Sequence, residues 1–146
     1  MTHLGSWAPM AEQKAVAAYL YQKENIDSYL THFKQELADR LNGLYSGLQQ
    51  LKQEGFPVDA IEPQGAIYLT VQFNFTGKKT ADGTLLTQQA DTTAYLLNEA
   101  KLAVVPFYAF GASASSSWYR LSVGTCKKEE IESVISQLRS AIQRLF

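Results

Sequence analysis

Residues 96–123 read Leu-Leu-Asn-Glu-Ala-Lys-Leu-Ala-Val-Val-Pro-Phe-Tyr-Ala-Phe-Gly-Ala-Ser-Ala-Ser-Ser-Ser-Trp-Tyr-Arg-Leu-Ser-Val. The apolar run 102–105 reads as a strand that stops at Pro106, because proline cannot donate to a sheet ladder. An aromatic, glycine-containing loop follows, and 118–123 then returns to an extended pattern. Side chains alternate faces along a strand. Leu121 and Val123 therefore point one way, and Trp118, Arg120 and Ser122 the other. If the first face packs on helices, Arg120 leaves the opposite face beside an aromatic, where its planar fork of donors suits a carboxylate. The same pattern fits an arginine in a surface ion pair.

Upstream of this stretch, Pro63-Gln64-Gly65 reads as a turn, and Ile67, Leu69, Val71 and Phe73 alternate with Tyr68, Thr70 and Gln72 as on a half-buried strand. Thr76 to Gly83 reads as a polar loop, and 86–100 as a helix with Leu86, Ala90, Ala94 and Leu97 on its packed face. Leu30, Phe33, Leu37, Leu41, Leu44, Leu48 and Leu51 recur in steps of three and four, predicting one long helix over 27–54. Asp27 or Ser28 would cap its start, and Gly55 and Pro57 would end it. Gly43 and Gly47 each weaken such a helix by about 1 kcal/mol relative to alanine, so packing must hold it. The alanine-rich segment 11–21 predicts a first helix whose tyrosines, with Trp7, call for a partner surface. A terminal helix over 127–145 carries the stripe Ile131, Val134, Ile135, Leu138, Ile142 and Leu145. Its acidic residues lie early and its arginines late, as the helix dipole favours. Three strands and four helices predict a small mixed or antiparallel sheet covered by helices.

The totals exclude several classes. A chain of 146 residues holds one domain with a real core rather than two ordinary ones. Thirteen basic against fourteen acidic side chains give a net charge of −1, which offers no bulk attraction to nucleic acid or an anionic membrane. The pairs Lys78-Lys79 and Lys127-Lys128 read as solvated surface. No apolar stretch approaches the length of a membrane span, and the opening residues lack the pattern of a signal peptide. A single cysteine, Cys126, rules out an intrachain disulfide and fits a reducing compartment. His3 and His32 have no ligand motif around them, so no zinc site is expected.

A self-contained enzyme needs a nucleophile or base with a group to orient it. No Gly-x-Ser-x-Gly elbow occurs, and Asp27, Asp39, Asp59, Asp82 and Asp91 fall at caps, polar helix faces or loops. Cys126, between a strand and a helix, reads as a small side chain at a junction. From the residues alone the chain is an α/β domain with one anion-binding candidate and no catalytic centre.

Pro63-Gln64-Gly65-Ala66-Ile67-Tyr68-Leu69, Leu96-Leu97-Asn98-Glu99-Ala100-Lys101-Leu102-Ala103-Val104-Val105-Pro106, Phe110-Gly111 and Tyr119-Arg120-Leu121-Ser122 precede an amphipathic terminal helix. In that order and spacing they resemble the C-terminal small domain of class I/II pyridoxal-phosphate-dependent aminotransferases, the fold type I, aspartate aminotransferase-like group. Gly5-Ser6-Trp7-Ala8-Pro9-Met10-Ala11 resembles the piece of such enzymes that follows their cofactor-binding region. The resemblance implies an α/β (α+β) two-layer fold. Residues 1–26 would belong to or dock on a large domain missing here, and 27–146 would form the small domain.

The resemblance also assigns roles. Arg120 takes the place of the residue that grips the substrate α-carboxylate, and Gly65 starts the strand that approaches the substrate. Phe110, Gly111 and Trp118 line the pocket. The full-length protein would be a transaminase using pyridoxal phosphate, with amino-acid and 2-oxo-acid substrates and aspartate as the donor. It would be a cytoplasmic homodimer that binds neither nucleic acid nor membrane. No lysine of this chain matches the family's cofactor-bonding motif, so catalytic and cofactor-binding residues are expected on the missing domain. The chain alone is expected to be inactive and to bind no cofactor. Phe107 departs from the family, which commonly has glycine directly after the proline. The alternative reading is a non-enzymatic ligand-sensing or protein-interaction domain derived from the same fold.

Overall fold

The computed structural model describes residues 8–124 and 126–146. The chain divides into two compact units, Met1–Glu36 and Leu37–Phe146. In the first, helix α1 (Met10–Leu20) buries none of its residues, and Met10, Val16, Tyr19 and Leu20 are all exposed. Trp7 lies outside the described residues. Helix α2 (Lys23–Gln53) contributes to both units. It begins four residues before Asp27, so Asp27 and Ser28 lie inside the helix rather than capping it. There the Asp27 carbonyl accepts a hydrogen bond from Thr31 Oγ1.

The stripe of α2 is buried over only part of its length. Leu41, Leu44, Leu48 and Leu51 enter the core and Leu37 packs at its margin. Leu30 and Phe33 are 38% and 42% exposed, with Phe33 stacked on Tyr29 at 5.9 Å. The helix ends as expected at Gly55, whose φ of +90° is the left-handed conformation glycine adopts without a Cβ penalty. The Gly55 amide donates to the Lys52 carbonyl and the Phe56 amide to that of Leu51, so the last turn's carbonyls are satisfied.

Four strands form one antiparallel sheet: β1 (Val58–Ala60), β2 (Tyr68–Phe73), β3 (Val105–Pro106) and β4 (Trp118–Ser122), in the order β1-β2-β4-β3. The three-residue β1 is not foreseen from sequence, because it is too short to show an alternation. It exists by pairing Val58 with Phe73 and Ala60 with Val71. The strand expected over 102–105 is displaced to Val105–Pro106, with the proline inside it rather than ending it. Pro106 is tolerated because β3 is an edge strand, where a missing N–H leaves no partner orphaned.

Helix α3 (Gln89–Glu99) starts at a reciprocal cap in which the Asp91 carboxylate accepts from the Thr87 and Gln88 amides. Its packed face differs from the one expected. Leu86, ahead of the helix, is buried as expected, but within α3 Gln89, Thr92, Tyr95 and Leu96 are buried, whereas Ala90, Ala94 and Leu97 face solvent. Two polar residues on the inner face hid it from a hydrophobic count. Gln89 has a reason to be there: its Nε2 donates to the Trp118 carbonyl at 2.9 Å, and Thr92 is buried one turn on. Helix α4 (Ile131–Gln143), preceded by a 3₁₀ turn at Lys128–Glu130, buries Ile135, Leu138, Ala141 and Ile142.

The core gathers these residues with Leu69, Val71 and Phe73 of β2 and Tyr119 and Leu121 of β4. Helices α2, α3 and α4 thus supply one layer and the sheet the other, a two-layer α/β arrangement. Along β4 burial alternates as expected. Tyr119 and Leu121 are buried, Trp118 and Arg120 half-buried, and Ser122 exposed. The second face of the sheet carries Tyr68, Thr70 and Gln72 of β2 beside Trp118, Arg120 and Ser122 of β4.

Candidate functional site

Arg120 stands near the centre of that second face, on an interior strand, opposite Thr70 of β2 and Val105 of β3. Its guanidinium carbon lies 4.3 Å from the centre of the Tyr68 ring and 4.4 Å from that of Phe110. Both distances are within cation–π range. Tyr68 reaches it because it opens β2, on the same face as Thr70. The backbone just before is bent, with Ala66 at a left-handed φ of 60°, and the Ile67 carbonyl receives the Val123 amide at 3.0 Å. Phe110 arrives from the other side of the sequence, at the end of a 3₁₀ turn, Phe107–Phe110. Gly111 closes that turn with φ +88°, its amide on the Tyr108 carbonyl at 3.0 Å.

Among the described residues, no carboxylate lies within ion-pair distance of Arg120. The surface ion pairs are elsewhere: Lys52 with Asp59 at 2.6 Å, Lys128 with Asp39 at 2.9 Å, Arg139 with Glu54 at 2.8 Å and Arg144 with Glu99 at 2.9 Å. A planar cation held over aromatic rings and lacking a protein anion is equipped to take an external one.

Of the residues singled out from sequence, the fold brings Phe110 onto Arg120 and sets Trp118 two positions away on the same sheet face. Gly111 supports the turn that carries Phe110. Gly65 lies in the exposed bend before β2, where an added Cβ would meet nothing within 4 Å. Tyr68 was missed as a site residue. Its signal was available, since strand alternation from Leu69 puts it on the Arg120 face. Phe107 is half-buried and meets Phe110 edge-on at 6.3 Å, with the rings 83° apart.

Other features carry less chemistry. A groove on the helical side is lined by Asp82, Asp91, Tyr95, Asn98, Glu99 and Arg144 among others. Its charges are already taken up. Asp82 accepts from Thr80 and the Thr84 amide, Asp91 from Thr87 and Gln88, and Glu99 from Arg144. Hydrogen bonds from Thr80 and from the Thr87 amide hold Asp82 and Asp91 below the ordinary carboxylate range. Burial, and then the neighbouring Glu130, pushes the Cys126 thiol up, the opposite of what a nucleophile needs. Burial likewise raises the Tyr119 hydroxyl. Among the described residues no three His, Cys, Asp or Glu side chains gather to hold a metal, and no helix is long and apolar enough to cross a membrane.

The family model for aminotransferase class I and II matches residues 3–138. The chain belongs to this family. A "Probable aspartate/prephenate aminotransferase" of Rickettsia conorii (strain ATCC VR-613 / Malish 7) is 38% identical over 85 residues, which is 58% of this chain and 20% of that protein. The protein of the same description from Rickettsia felis is 38% identical over 78 residues, 53% of this chain and 18% of the other. Among solved structures, the aspartate aminotransferase from Rhizobium meliloti superposes with a TM-score of 0.69 at 28% identity, covering 81% of this chain and 28% of that one. The aromatic aminotransferase from Pyrococcus horikoshii OT3 shares the fold with a TM-score of 0.61 at 22% identity, over 80% of this chain and 27% of its own. The chain spans about a fifth of the length of the curated relatives it matches.

Class I and II aminotransferases use pyridoxal phosphate. A site for it requires a lysine amine to bond the cofactor, an acid for the ring nitrogen and a cradle for the phosphate. Lys52, Lys101, Lys127 and Lys128 direct their amines to Asp59, the Asn98 carbonyl, Glu130 and Asp39. Arg120 has aromatic neighbours and, among the described residues, no carboxylate within ion-pair distance.

Proposed function

We propose that this chain is the small domain of a pyridoxal-phosphate-dependent transaminase, and that Arg120 receives the α-carboxylate shared by its amino-acid and 2-oxo-acid substrates. The observation that carries this reading is the guanidinium on the second face of the sheet, without a carboxylate partner among the described residues, in a chain of the aminotransferase family. A bidentate clamp fixes both the distance and the orientation of the bound carboxylate, so binding energy positions the substrate's amine-bearing carbon. Phe110, Gly111 and Trp118 would line the space beside it, with Gly65 at its edge. A large domain would cover the open face, dock residues 1–26 and supply the cofactor-bonding lysine, and the whole would be a cytoplasmic homodimer. Aspartate as amino donor draws support from the descriptions of the Rickettsia relatives and of the Rhizobium structure. Without the large domain the chain would neither turn over substrate nor bind the cofactor.

The test is kinetic, in the complete protein. Arg120→Ala should lower kcat/KM on the order of 10²-fold or more for every amino donor, since all share the α-carboxylate. Arg120→Lys should also be impaired, because a point charge cannot reproduce the fork. Kinetics of Arg120→Ala within about threefold of wild type would remove this residue from the site.

A further inference from the structure

We propose that Tyr68 and Phe110 are positioning residues that restrain the Arg120 guanidinium, with Phe107 supporting Phe110 edge-on. The inference rests on the carboxylate reading above and adds how the clamp is held. Arginine is long and rotamer-rich, and on an open sheet face nothing in the backbone dictates where its fork points. Here both rings stand over the same carbon, at 4.3 and 4.4 Å. Two rings this close to one carbon restrict how far the guanidinium can swing, and they leave the N–H groups turned away from them for a ligand. A carboxylate that approaches those groups in the plane of the fork makes a two-bond contact.

The two rings are anchored independently. Tyr68 is fixed by the strand, paired with Ser122 two residues from Arg120 on the same face. Phe110 is fixed by its turn, which Pro106 ties to the sheet opposite Tyr119 and which the Phe107 ring supports edge-on at 6.3 Å. Tyr68 and Phe110 remain 41% and 54% exposed. Burial in the core does not account for two large aromatics at these positions, but stacking on the cation does. Restricting the side chain before the ligand arrives removes an ordering cost from binding.

Two NMR measurements on the intact chain test this: rotation of the Arg120 guanidinium about its Nε–Cζ bond, and titration of its Nε–H with acetate. In the wild type, rotation should be slow enough to separate the two Nη groups. Tyr68→Leu and Phe110→Leu should release it and weaken acetate binding about three- to tenfold, and Phe107→Leu should do so to a smaller degree. Tyr68→Phe and Phe110→Tyr keep the rings and should behave as wild type. Free rotation in the wild type, or leucine variants that rotate and bind as it does, would overturn the positioning role. Slow, ring-dependent rotation with no saturable acetate shift at the Arg120 Nε–H would uphold the ring clamp and overturn the carboxylate reading instead.

Discussion

The two glycines of α2 should respond in opposite senses to the same substitution. A Cβ built at Gly47 falls 2.5 Å from Ile135 Cγ1, 2.7 Å from Cδ1 and 3.4 Å from Cγ2 of the same buried side chain. At Gly43 the Cβ meets only Ile131, at 3.0 Å from the terminal Cδ1 and 3.5 Å from Cγ2. Replacing a helical glycine by alanine gains about 1 kcal/mol of propensity wherever space allows. At position 43 the contact is with the tip of a half-buried chain that can turn aside, so Gly43→Ala should stabilise by about 0.5–1 kcal/mol. At position 47 the clash reaches Cγ1, close to the backbone of α4, where relief requires the helices to separate. Overpacking of that kind costs about 1–3 kcal/mol, which cancels or outweighs the propensity gain, so Gly47→Ala should be net destabilising by up to about 2 kcal/mol. In an Ile135→Ala background the obstructing atoms are gone, and Gly47→Ala should become stabilising by about 1 kcal/mol. The resulting coupling of about 1–3 kcal/mol is readable in a double-mutant cycle from urea unfolding. Equal effects at the two glycines, or a cycle that closes to zero, would refute the account of Gly47 as the residue that lets α4 approach α2.

Asp91→Asn should lower the midpoint of thermal unfolding by weakening the cap of α3. The Asp91 carboxyl is held below its ordinary value, so its contribution is present above about pH 4 and lost as pH falls through the folded-state value. The gap between wild type and variant should therefore close in acid, and a gap independent of pH would contradict the cap. Cys126 should alkylate more slowly at neutral pH than an unperturbed thiol, and Glu130→Gln should speed it up by removing a neighbouring negative charge. A rate with iodoacetamide above that of free cysteine would count against this. The chain alone should show no saturable pyridoxal phosphate binding by absorbance, and binding abolished by changing one particular lysine would contradict that expectation. The exposed Val16, Tyr19, Leu20 and Tyr21 should drive self-association of the isolated chain. A single monomeric species in sedimentation velocity across concentrations would refute it.

What could be read directly from the residues is what depends on local periodicity and local stereochemistry. The alternation over 118–123 fixes which way Arg120 points, because a strand has only two faces. The three- and four-residue steps of the leucines make α2 a helix, and Gly55 stops it because the left-handed turn there suits glycine. The ordered motifs from Pro63 to the terminal helix placed the chain in its family, which the family model bears out.

Other features exist only through partners distant in sequence. β1 is a strand because β2 lies beside it, and Pro106 can enter β3 because that strand is an edge. The inner face of α3 runs through Gln89 and Thr92 rather than Leu97, since the Trp118 carbonyl rewards a buried amide there and a hydrophobic count does not register it. The upper stripe of α2 reads as apolar but leaves Leu30 and Phe33 exposed, because amphipathic spacing states what a helix could bury and not whether anything covers it. The same limit holds at the site. Spacing names Arg120, but a strand residue, a loop residue and the arginine between them become one cluster only when β2, β4 and the Phe107–Phe110 turn meet, since contact between side chains is set by the packing of elements and not by the order of residues along the chain.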